Sequence, residues 1–109
     1  HIVLREPVVS MGDWRKPRRG LTQNERGIPL NWLRERLGRS GLRVVRDAQC
    51  VFPLTHRLKF LGQGHPFNSG LAMLFDRLMS RAFGWNGRYH ATRWWHKLRP
   101  TTVFMVLSK

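Results

Sequence analysis

Cations outnumber acids twenty to six in this 109-residue chain, and that imbalance limits what it can fold into before any element is sought. A formal charge of +14 on so short a chain repels itself on compaction, and an anionic partner removes that cost. Sixteen of the cations are arginine and four are lysine. The planar arginine fork binds phosphate in bidentate fashion and stacks on bases, so the bias suits RNA contacts. Apolar residues make up 41%, which is near the globular range and excludes a wholly disordered tail.

Punctuation by Gly and Pro divides the chain. Residues 1–27 open with Ile2-Val3-Leu4 and then reach Gly12-Asp13-Trp14-Arg15-Lys16-Pro17-Arg18-Arg19-Gly20. Two glycines, a proline and four cations in nine residues support neither a stable helix nor a central strand, so 1–27 is expected to be an extended basic arm. Residues 28–109 are expected to form a small α+β body of two or three short helices and a few short strands. In it, Pro29 precedes Leu30, Leu33 and Leu37, a helical spacing ended by Gly38. Strand-like runs follow at Leu42–Arg46, Cys50–Phe52 and Arg57–Leu61. The strongest helix is expected from Ser69 to Phe83, capped by Asn68 or Ser69, with Leu71, Leu74, Phe75, Leu78 and Ala82 on its apolar face. Arg88–Leu98 can be helical up to Pro100, and Thr101–Leu107 reads as a strand apolar on both faces and so covered on both.

Cations interleaved with aromatics carry the functional reading. Trp14 stands beside Arg15, Lys16, Arg18 and Arg19, and a second set gathers Arg88, Arg93, Trp94, Lys97 and Arg99 in 12 residues. Between them lie Arg34, Arg36 and Arg39 on the first helix, and Arg43 and Arg46 on the strand after it. Cations neutralise phosphates and release counterions, while exposed aromatic planes stack on unpaired bases. All fifteen residues are candidate RNA contacts. The competing reading makes the tryptophans core or protein-interface anchors; because Trp94 and Trp95 are adjacent, at least one is expected to pack inward.

Other chemistries find less support. Cys50, His56, His65, His90 and His96 lack the short paired spacing of a structural zinc site, so no metal is expected. Gly62-Gln63-Gly64 leads into a helix, but the Lys of a phosphate-binding loop is missing. The six acids form no acid–base pair or triad signature, and Cys50 reads as an inert strand thiol, so neither catalysis nor a cofactor or small-molecule substrate is expected. No apolar run approaches the roughly 20 residues of a membrane span. The expectation is a non-enzymatic, structural component of a large ribonucleoprotein, contacting RNA and neighbouring proteins; a ribosomal particle is the first candidate. The sequence starts at His1 rather than Met, which fits a trimmed chain and favours the mitochondrial matrix. The alternatives are an accessory subunit of a membrane-bound organellar complex and a free-standing nucleic-acid-binding regulator.

Overall fold

The computed structural model describes residues 1–10 and 27–109. Its elements are β1 (Ile2–Pro7), α1 (Leu30–Arg39), β2 (Arg43–Cys50), α2 (Gly70–Ala82) and β3 (Thr102–Ser108), with 3-10 turns at Pro53–Gly62, Pro66–Asn68 and Trp94–Lys97. The three strands form one antiparallel sheet in the order β1-β3-β2, giving a small α+β fold. β1 and β2 both run against β3, so they are parallel to each other, connected through α1, with the C-terminal strand inserted between them.

The strand-like opening Ile2-Val3-Leu4 lies within β1, an edge strand of the sheet. Gly27 packs against the chain just after β1: a Cβ there would lie 2.2 Å from the Val9 carbonyl oxygen, so only glycine fits. Arm residues Trp14, Arg15, Lys16, Arg18 and Arg19 lie outside the described residues.

Pleating sends Val103, Met105 and Leu107 to one face of β3, where they are buried with Val8 and with Leu33 of α1. Leu4, Leu30, Leu37 and Val44 pack around them, so one face of the sheet and the apolar stripe of α1 form a shared core. α1 runs through Gly38 to Arg39, and the turn that ends it comes at Gly41, with φ +75°. The other face of β3 is open. Phe104 is 42% exposed, so the strand is covered on one face rather than on both.

Two short strands expected from sequence are absent for tertiary reasons. β2 stops at Cys50 because Val51 adopts φ 63°, a left-handed conformation costly for a β-branched residue. Pro53 then starts a 3-10 turn through the run at 57–61, and Thr55 within it is tied to α2. α2 itself is close to expectation, with the Ser69 hydroxyl accepting from the Ala72 N–H at 3.5 Å. Its orientation is not. Ala72, Asp76 and Ser80 face inward, whereas Leu71, Leu74 and Leu78 are 71%, 52% and 54% exposed.

Candidate nucleic-acid interface

Reversed packing of α2 creates a groove on the open side of the sheet. Register pairs Phe104 with Arg5 of β1 on one side and Ala48 of β2 on the other, while Arg46 pairs with Val106 on the same face. Arg5, Phe104, Ala48 and Arg46 line the groove from the sheet; Met73, Leu74, Arg77 and Arg81 line it from α2. Its volume is about 1310 Å³, above the range of about 300–1,000 Å³ usual for a small-molecule pocket, and it is widely open.

Acids at this groove are already engaged. Asp76 accepts from the Val51 N–H at 3.0 Å, the Phe52 N–H at 2.7 Å and the Thr55 hydroxyl at 2.6 Å, which pins the turn after β2 to α2. Asp47 pairs with Arg34 of α1. Cys50, which also lines the groove, has its thiol pKa raised by burial and by Asp76 against a smaller opposing effect of Arg5, so it stays protonated and is a poor nucleophile.

The other sequence-derived cations fall into two groups. On α1, Arg39 pairs with Glu35 at 2.6 Å one turn away, and Arg36 stacks over the Trp32 ring at 5.0 Å. Both are exposed, as is Arg43 at the start of β2. Arg34 and Arg46 reach the groove.

The segment from Arg88 to Arg99 is not the helix its composition allows. Buried Asn86 donates from its side chain to the Trp95 and Leu98 carbonyls, both at 3.0 Å, and buried His96 Nδ1 accepts from the Arg93 N–H at 3.2 Å. These side-chain bonds use backbone groups that a helix would pair, leaving one 3-10 turn at Trp94–Lys97. Arg88, Arg93, Trp94 and Lys97 of this segment are exposed to solvent. Trp94 and Trp95 are 73% and 41% exposed, so neither is a core residue, and Arg93 lies over the Trp95 ring at 4.9 Å; His96 takes the inward position. Arg99 leaves the contact set: it is 4% exposed, and its guanidinium donates to the Tyr89 carbonyl at 3.1 Å. Burial lowers its pKa.

Sequence reasoning missed four groove residues: Arg5, Arg77, Arg81 and Phe104. Arg77 and Arg81 were legible as an i, i+4 pair on one helix face. Nothing local could join Arg5 to Phe104, because strands at opposite ends of the chain bring them into register. Among the described residues, no cluster of three His, Cys, Asp or Glu could hold a metal ion, and no helix is long and apolar enough to cross a membrane. No protein-family model, curated protein or solved structure matches this chain.

Proposed function

We propose that this protein is a non-catalytic, RNA-binding structural component of a large ribonucleoprotein, with ribosomal particles, the mitochondrial one included, as the first candidates. The observation that carries this reading is the groove, where Arg5, Arg46, Arg77 and Arg81 converge while Asp47 and Asp76 are held in internal bonds. With five arginines against Asp47 and Asp76 the lining is net cationic, which focuses the field of a concave surface on a polyanion, and arginine matches phosphate in shape as well as sign. The solvent-facing Arg88, Arg93 and Lys97 extend the cationic surface beyond the groove.

A second reading rests on α2. Leu71, Leu74 and Leu78 follow i, i+3, i+7 along its solvent side, a stripe suited to another protein within an assembly. This favours residence in a complex and leaves room for an accessory subunit of a membrane-bound organellar complex. Sedimentation of the tagged protein from a mild lysate, with and without ribonuclease, separates the two. Migration with a large particle that ribonuclease collapses is the expected result. A large particle indifferent to ribonuclease and dispersed by detergent replaces the RNA reading with the membrane-complex one.

A further inference from the structure

We infer that the groove takes an unpaired RNA strand, with a base stacked on Phe104 and phosphates held by Arg5 and Arg46 on one side and Arg77 and Arg81 on the other. This rests on the RNA reading above and adds the strand state and the residue that senses it. Phe104 is the starting point. Its neighbours along β3, Val103 and Met105, are 0% exposed on the core face, while the Phe104 ring is 42% exposed in the middle of the opposite face. A large apolar ring left in water on a central strand loses the stabilisation of burial, which an occupant of the groove restores.

The surroundings of the ring select the occupant. Arg5 stands directly across on β1, and the partner on β2 is Ala48, too small to cover the ring from that side. A flat ring at the foot of a groove walled by cations fits a chain that alternates flat bases with phosphates. Duplex RNA keeps its bases paired and stacked within the helix, so it reaches the arginines but cannot lay a base on Phe104. A free phosphate engages an arginine or two and leaves most of a groove of about 1310 Å³ unfilled. An acidic peptide satisfies the cations and gives no reason for an aromatic floor.

The test uses the full chain, with fluorescence anisotropy at one salt concentration. The probes are oligo-uridylate, a blunt RNA duplex of equal length and polyglutamate. Phe104→Ala is expected to weaken oligo-uridylate about tenfold and to leave duplex affinity unchanged, while Phe104→Trp restores the single-strand affinity. Far-UV circular dichroism and a thermal melt check that both variants stay folded. If oligo-uridylate and duplex bind equally and Phe104→Ala changes neither, the strand inference is overturned and the RNA reading stands. If neither RNA binds, or polyglutamate outcompetes both, the RNA reading falls and the inference with it.

Discussion

Beneath α1 the sheet buries Val103, Met105 and Leu107, closed over by leucines of the helix; beneath α2 the buried residues are Ala72, Asp76 and Ser80, with Thr55 and the Phe52 ring from the turn after β2. The first half is held by apolar area, which is non-directional. The second is held largely by three hydrogen bonds to one carboxylate, which fix a single geometry, supplemented by stacking of Phe52 on Phe83 at 5.3 Å. Polar anchoring of α2 leaves Leu71 and Leu78 in solvent and Leu74 at the rim of the groove. It also stands the helix off the sheet, so that Phe104 faces a groove and not a core.

The contrast is broken most severely at its narrowest point. Asp76→Ala leaves the Val51 and Phe52 amides and the Thr55 hydroxyl without their acceptor in a buried site, at a cost of about 4 kcal/mol. The same carboxylate holds Val51 in its left-handed conformation, so its removal releases the end of β2. The expected outcome is a urea midpoint shifted far down, with amides of α2 and of the 53–62 turn exchanging before those of the sheet. A loss of protection spread evenly over both halves contradicts the division.

A matched pair of truncations sharpens it. Met105→Ala removes a side chain that is fully buried under α1 and is expected to cost about 3 kcal/mol in urea denaturation. Leu74→Ala removes a side chain of similar size that is half in solvent, and is expected to cost under about 0.5 kcal/mol. Equal costs for the two would mean that α2 buries its leucines in solution, for instance by self-association. Sedimentation of the pure protein would detect that.

The same division explains what could be read from the sequence. α1, α2 and β3 were legible because their periodicities and caps are local: leucines at 30, 33 and 37, Ser69 before α2, and the β-branched run before Ser108. The face on which α2 packs was not legible, because an apolar stripe is ordinarily the buried one and the deciding interaction joins Asp76 to a turn 21 to 25 residues earlier. Arg57–Leu61 alternates like a strand, yet Pro53 and the Thr55 bond wind it into a turn, a tertiary override of local pattern. The groove depends on pairing between the two ends of the chain, which no window of sequence contains. Arg99 looked like its neighbours in composition; only its burial distinguishes it from them.

The segment from Arg88 to Arg99 resembles the α2 half in relying on polar anchors, and His96 makes that reliance sensitive to pH. Its Nδ1 accepts from the Thr92 and Arg93 amides at 3.3 and 3.2 Å, which requires an unprotonated nitrogen. Burial first, then the charges of Arg88, Arg93 and Arg99, lower its pKa from the ordinary 6.5. Well above pH 6.5 the ring is neutral in both folded and unfolded chains, so its contribution is fully present. As the pH falls below that value the unfolded chain takes up a proton that the folded one resists, and stability declines until the folded ring is protonated too. Thermal melts are therefore expected to be level from about pH 8 to 7 and to drop toward about pH 5.5. In His96→Gln, whose side-chain oxygen can still accept a backbone amide, that decline should flatten; the other four histidines are exposed. Amide exchange at residues 92–98 should accelerate in acid before the sheet does, because the proton breaks bonds that only this segment uses. An identical decline in wild type and His96→Gln would show that His96 does not set the pH response and would remove the acid-sensitive anchor from the 88–99 segment.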